Sequence, residues 1–303
     1  MSRNGSSTTK GLFLLLGASF IWGTGIVAQK LGAETLGAFT FNALRCLLGL
    51  VILIPVTLWF EKRQRQSGAA ADFLRGREKR RALVIAGVVG GLGFFGGATF
   101  QQLSLAYISA GKSGFLTALY IVFLPLAERV CGKKTTGKVW LGIGLALVGL
   151  YLLCVKEGFS FGKGDILGIT GAFFWTFEIL TVDRYCRRLP PLTMMCAMIG
   201  LVGVLSLGCA FLFEEVSLAA ILPVAGPVLY AAVMLIGVAY TLQAYGQQTA
   251  DPTLTGLIFS LEAVFSVLAG TALLHETMTP REITGCVLMF IALLITQIRK
   301  PRK

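Results

Sequence analysis

Three ionisable side chains stand where the surrounding sequence is almost wholly apolar: Arg45, Glu178 and Glu262. A charge placed in hydrocarbon costs at least about 2.5–3.5 kcal/mol, so each needs a partner or a use. Glu262, in Leu261-Glu262-Ala263-Val264-Phe265, is the strongest case. A desolvated carboxylate can exchange a proton or pair with an ammonium group, and it can equally serve as a packing group bonded to a neighbouring helix. Glu178 stands one turn from Trp175 and could gate a cavity or bind cations; interfacial water or Arg184 would satisfy it as well. Arg45 could grip a carboxylate with its planar fork, or lock two helices by pairing with an acid or with helix-end carbonyls. Glu128, beside Arg129 at the end of its apolar run, reads as solvated. The uncharged candidates for a polar cavity wall are Trp22, Trp175, Gln101, Gln243, Tyr120, Tyr240 and Thr117. Buried amides need hydrogen-bond partners, and the indoles can stack on an organic solute or fill space between helices.

The elements that must hold these residues are membrane helices. Of the 303 residues 55% are apolar and 14% charged, against about 25% charged in soluble domains. That composition excludes a water-soluble enzyme and intrinsic disorder. Apolar runs read with a window of about 19 residues give spans near Gly11–Gln29, Gly37–Phe60, Ala82–Leu105, Ser113–Val130 and Val139–Val155. Five more run near Gly164–Val182, Pro191–Phe213, Val224–Gln247, Thr253–Leu274 and Ile283–Ile298. The fold class is therefore all-α integral membrane, with ten transmembrane helices. Gly87, Gly91, Gly93 and Gly97 predict close helix packing in the third span, and Pro55, Pro125 and Pro227 predict kinks.

The net charge of +12 is a matter of topology. With the N-terminus inside, 21 of the 27 Lys and Arg fall on cytoplasmic segments, five fall outside, and Arg45 lies within a span. Such a bias places both termini in the cytoplasm of a cell (cytoplasmic, inner) membrane, where the basic loops meet anionic lipid headgroups. It is no nucleic-acid footprint. The apolar run after Arg3 and Lys10 exceeds a signal-peptide core and reads as an uncleaved first helix.

Metal and cofactor chemistry find little purchase. A single histidine, His275, excludes multi-histidine metal sites, and with Glu276 at an outer helix end it forms no evident catalytic dyad. The seven cysteines show no CxxC pair and read as packing residues. Ala106-Tyr107-Ile108-Ser109-Ala110-Gly111-Lys112-Ser113 fits a loose phosphate-loop pattern, but it joins two membrane spans, where no strand precedes it and nucleotide is scarce. No ATP, metal or cofactor is expected.

The two halves of the chain resemble one another. At an offset of 153, Trp22 falls on Trp175 and Thr40 on Thr193. At 142, Thr99-Phe100-Gln101 falls on Thr241-Leu242-Gln243, Ser113-Gly114 on Thr255-Gly256, Leu119 on Leu261, Tyr120 on Glu262, and Val122-Phe123 on Val264-Phe265. Gly142 matches Gly285 one residue further along. Halves of five spans each, residues 11–155 and 164–299, must enter the membrane in opposite senses, a recurring transporter design with its site at the midplane. Glu262 lies about eight residues into its span, roughly 12 Å deep at 1.5 Å per residue, close to the centre of a ~30 Å core. Inversion brings Tyr120 to the same region.

These residues also resemble a family. Phe20-Ile21-Trp22-Gly23, Arg45, Gln101-Gln102, Gly114-Phe115-Leu116-Thr117-Ala118-Leu119-Tyr120 through Pro125, Leu261 to Phe265, Leu274-His275-Glu276-Thr277-Met278-Thr279 and Gly285 are similar to the drug/metabolite transporter superfamily, EamA type. The resemblance covers the whole chain. It implies two inverted five-helix repeats around a central cavity, and export or exchange of small metabolites. Ala263, where the family often has proline, and Glu178, where a less acidic residue is expected, are departures. The expected function is a secondary transporter, an exporter of amino acids or amines by alternating access, with protons as a possible co-substrate. A cationic-drug efflux carrier is the alternative, and a channel or a non-transporting membrane subunit is the competing class.

Overall fold

The computed structural model describes residues 5–66, 73–104, 106–108, 110–133, 135–155, 161–274 and 278–297. All regular structure among them is helical. Apolar segments in a bilayer must satisfy their backbone groups internally, and the helix does so. The chain begins with α1 (Gly5–Thr35), α2 (Ala38–Gln66) and α3 (Gly76–Ser104). Then come α4 (Ala110–Thr117), α5 (Tyr120–Val130), α6 (Gly137–Cys154), α7 (Lys163–Tyr185) and α8 (Pro191–Phe213). A composite stretch follows: α9 (Leu218–Ile221), a 3₁₀ turn, α10 (Ala225–Tyr230), a wide π segment (Ala231–Ala239) and α11 (Tyr240–Gly246). The chain closes with α12 (Pro252–Phe259), α13 (Glu262–Leu274) and α14 (Pro280–Gln297). Among the described residues, eight helical stretches are long and apolar enough to cross a membrane.

Two expected spans are interrupted. The fourth breaks at Ala118-Leu119 between α4 and α5, and the ninth at Ser260-Leu261 between α12 and α13. Each break is one tight turn, its amides reaching back three residues: Leu119 N to Leu116 O at 3.2 Å, Leu261 N to Ile258 O at 3.1 Å. At the second, the buried Ser19 hydroxyl donates to the Ile258 carbonyl at 3.0 Å. Pro55 and Pro125 lie inside α2 and α5, while Pro227 sits in the first turn of α10.

Packing is set by small residues. A Cβ on Gly87 would meet Ala197 of α8 at 3.2 Å; one on Gly93 would meet the Glu178 backbone nitrogen of α7 at 2.8 Å; one on Gly97 would meet the Trp175 indole at 2.7 Å. The glycines of α3 thus pack closely, as their spacing predicted, and serve two neighbours. In α6 and α14 two glycines bring backbones together, a Cβ on Gly149 falling 2.8 Å from Gly285 O. Further packed pairs are α1 with α13, α2 with α8, α2 with the π segment, and α4 and α5 with α7.

α2 and α8 clasp each other end to end. Glu214, just past α8, accepts from Phe39 N at 2.9 Å, Thr40 N at 2.8 Å and Thr40 Oγ1 at 2.7 Å. At the other end, the Thr193 hydroxyl at the start of α8 donates to Glu61 near the end of α2. The two helices are therefore antiparallel; Glu214 caps the N-terminus of α2, where the helix dipole favours an anion, and Glu61 takes the Thr193 hydroxyl at the start of α8.

One sequence expectation changes. Glu128 is not solvated: it is 8% exposed, accepts from Thr253 Oγ1 at 2.6 Å and pairs with Lys133 at 2.8 Å, tying α5 to α12. That bond holds the Lys133 ammonium above its ordinary value. Lys112 pairs with Asp165 at 2.7 Å, so the lysine of the phosphate-loop look-alike is engaged within the fold. All seven cysteines are free thiols. His275 and Glu276 lie outside the described residues.

Gly149→Ala forces backbone against backbone and should lower stability by about 1–3 kcal/mol. Gly144→Ala, with nothing within 4 Å of its Cβ, should leave reversible unfolding in mixed micelles unchanged. A double-mutant cycle of Thr40→Val and Glu214→Gln should show a coupling of about 0.5–3 kcal/mol; additive effects would deny the clasp.

Candidate functional site

One cavity draws residues from nine α-helices and the π segment. It encloses about 590 Å³ of empty space, its open mouth included, and is lined by Trp22 and Gln29 of α1, Arg45 of α2, Gln101 of α3, Thr117 of α4 and Tyr120 of α5. Trp175, Glu178 and Ile179 come from α7, Leu235 from the π segment, Tyr240 and Gln243 from α11, and Phe259 and Glu262 from the break between α12 and α13. All ten residues singled out in the sequence stand on this wall. Gln29, Ile179, Leu235 and Phe259 were not singled out; only Gln29, a polar residue inside an apolar run, carried a signal.

The backbone breaks explain the depth of two of these groups. Tyr120 opens α5 and Glu262 opens α13, each directly after its interrupted turn. Glycine lets the neighbours close on them, a Cβ on Gly23 falling 2.6 Å from the Glu262 carbonyl. Around the middle stands an aromatic shell: Trp22 meets Tyr240 edge-on at 5.2 Å and Phe259 at 4.8 Å, while Phe94 stacks on Tyr240 at 4.7 Å and leans on Trp175 at 5.3 Å. Such pairs fix ring orientation.

The polar groups divide into satisfied and unsatisfied sets. Gln243 Nε2 donates to both oxygens of Glu178, at 3.0 and 3.2 Å, and to Gln247 Oε1 at 3.0 Å; Gln247 in turn donates to Ile179 O at 3.1 Å. Glu178 therefore meets neither Arg184 nor interfacial water; it is 1% exposed. Arg45, 7% exposed, forms no helix-locking ion pair among the described residues. Its guanidinium lies 5.6 Å over the Phe41 ring, and its Nε has no hydrogen-bond partner among the described residues. Glu262 is half-buried, with Arg45 as the cation acting on it. Thr117 Oγ1, Trp175 Nε1 and Gln243 Oε1 are likewise buried without partners. Buried polar atoms are seldom left unpaired, so four orphans on one wall mark a space suited to a polar guest.

The EamA-like transporter family matches residues 9–155 and again residues 162–298. This chain belongs to the EamA-like transporter family. With it comes membership of the drug/metabolite transporter superfamily. An uncharacterized transporter of Archaeoglobus fulgidus is 28% identical over 98% of this chain and 90% of its own. The uncharacterized transporter YoaV of Bacillus subtilis is 20% identical over 91% and 92%. A solved structure, 18% identical and covering 97% of both chains, superposes with a TM-score of 0.76, a likeness of fold. The protein is thus a multi-pass membrane transporter of the EamA-like family, whose members are not enzymes.

The end of the EamA cavity at Gln243 is closed: Glu178 and Gln243 are each 1% exposed and Gln247 is 0%. Gln29 and Gln101, on the far side, are half-buried. With the seven native cysteines replaced, Gln29→Cys and Gln101→Cys should react with a water-soluble thiol reagent, and Gln243→Cys should stay protected. Equal labelling of all three would contradict a one-ended mouth.

Proposed function

We propose that the protein is a secondary transporter that exports small organic metabolites, amino acids or amines, across the cytoplasmic membrane by alternating access. The observation that carries the reading is the cavity. Two carboxylates, a guanidinium without an ion-pair partner among the described residues and an aromatic shell meet around one space, with several buried polar atoms left for a guest to satisfy. Glu262 receives the cationic group of the solute or a proton, Arg45 stands ready for a carboxylate, and Trp22, Trp175 and Tyr240 flank the organic part. The bilayer and its anionic headgroups are the other partners, and both termini are cytoplasmic.

Alternating access needs two arrangements of similar energy, and two inverted five-helix halves of ten transmembrane helices provide them. Three features support that arrangement. The breaks at Ala118 and Ser260 lie 142 residues apart, at the offset that pairs Tyr120 with Glu262. Glu61 and Glu214, which accept from Thr193 and Thr40, lie 153 apart, at the offset that pairs the threonines. Exchange of the halves also maps helix contacts onto one another: α3 with α8 onto α2 with the π segment, α1 with α13 onto α7 with α5, and α5 with α12 onto α13 with α4. α2 with α8 and α6 with α14 map onto themselves.

The test is reconstitution in liposomes, with candidate amino acids and amines measured with and without an imposed pH gradient. Wild type should move its solute faster under the gradient, and Glu262→Gln should lose that stimulation. Equal flux for both proteins under both conditions would remove proton coupling at Glu262.

A further inference from the structure

Glu178 has surroundings that solute binding does not explain. Both of its oxygens face one nitrogen, Gln243 Nε2, at 3.0 and 3.2 Å. That nitrogen also faces Gln247 Oε1 at 3.0 Å. An amide nitrogen carries two hydrogens, so three acceptor oxygens compete for two donors. Gln247 directs its own amide to Ile179 O, and Gln243 Oε1 is buried with no partner. No ion pair reaches Glu178 among the described residues. Turning the Gln243 amide end for end would set its oxygen against a carboxylate, which only moves the mismatch.

One added hydrogen repairs the count. With a proton on one Glu178 oxygen, the other accepts from Gln243, and the second amide hydrogen serves Gln247. The new hydroxyl then donates into the cavity or to Gln243 Oε1. We infer that Glu178, Gln243 and Gln247 form a proton-binding site at the closed end of the cavity, separate from Glu262. This deepens the transport reading and rests on it for its purpose. The proton comes from water, no bond other than O–H forms, and its loss leaves the contact between α7 and α11 unsatisfied.

The other ionisable groups are accounted for. Tyr240 of α11, Tyr120 of α5, Glu262 of α13 and Arg45 of α2 share the cavity, and both tyrosines lie within electrostatic reach of Glu178. Asp183, on α7 itself, is paired with Arg187, Lys112 of α4 with Asp165, and Glu128 of α5 with Lys133. Asp251, ahead of α12, accepts from Leu254 N. On α3 it is Gly93, without a side chain, that packs against Glu178. The triad also has no twin. At the offset of 153 Glu178 falls on Gly25, and at 142 Gln247 falls on Leu105. Only one end of the pathway carries the site, so its proton would distinguish the two directions of opening.

Infrared difference spectra of the full-length protein in lipid vesicles, taken across a pH titration without any solute, read the protonated carboxyl directly. Wild type should show a titrating carboxyl band that Glu178→Gln removes and Glu262→Gln keeps. Gln243→Met, which withdraws the amide and spares the carboxyl, should move the midpoint of that band. Loss of no titrating component in Glu178→Gln, or a midpoint unmoved by Gln243→Met, overturns the assignment. The titration needs no transported solute. A titrating Glu178 in a protein that moves nothing under a pH gradient would thus overturn the transport reading and leave the proton site standing.

Discussion

The constraint that orders this molecule is that a backbone in hydrocarbon must bond to itself. Helices meet it everywhere along their length, and irregular backbone is tolerated where it borders a cavity or is buried in protein. The two interrupted turns, at Ala118-Leu119 and Ser260-Leu261, obey that rule. Their amides stay bonded in tight turns, Ser19 takes a carbonyl at the second, and the residue that follows each break stands on the cavity wall. The position of Tyr120 and Glu262 is thus a by-product of where the chain may deviate from helix.

Close approach is the second requirement, and glycine meets it. Lipid tails are as apolar as leucine, so helices associate through van der Waals packing and hydrogen bonds rather than by expelling water. Gly93 and Gly97 lay α3 on the Glu178 and Trp175 segment of α7, and Gly23 lays α1 on Glu262. The same glycines that hold the bundle together set the width of the cavity.

Much of this was legible in the sequence because a charge or amide inside an apolar run is conspicuous. Glu262, Glu178, Arg45, Gln101 and Gln243 announced themselves on that ground, and the halves' offsets paired Tyr120 with Glu262. What escaped notice depended on partners distant in sequence. Glu128 looked like a boundary charge because Arg129 is its neighbour, yet its hydroxyl donor is Thr253. Glu61 and Glu214 were not singled out at all, although the threonines they bond had been matched. The helix breaks left no trace, since Ala118-Leu119 contains neither glycine nor proline. Leu235 and Phe259 are apolar residues among apolar residues, and only their place in the bundle sets them apart.

The wide stretch Ala231–Ala239 lies just ahead of the segment that carries Tyr240 and Gln243. Successive residues of an ordinary helix are turned by about 100° about its axis, and a wide turn resets that phase. Everything downstream inherits the shift. A lineage that lost one residue here would swing the Gln243 amide off its carboxylate while leaving the membrane thickness covered, so the register of this span is a heritable dial on polarity within the bundle.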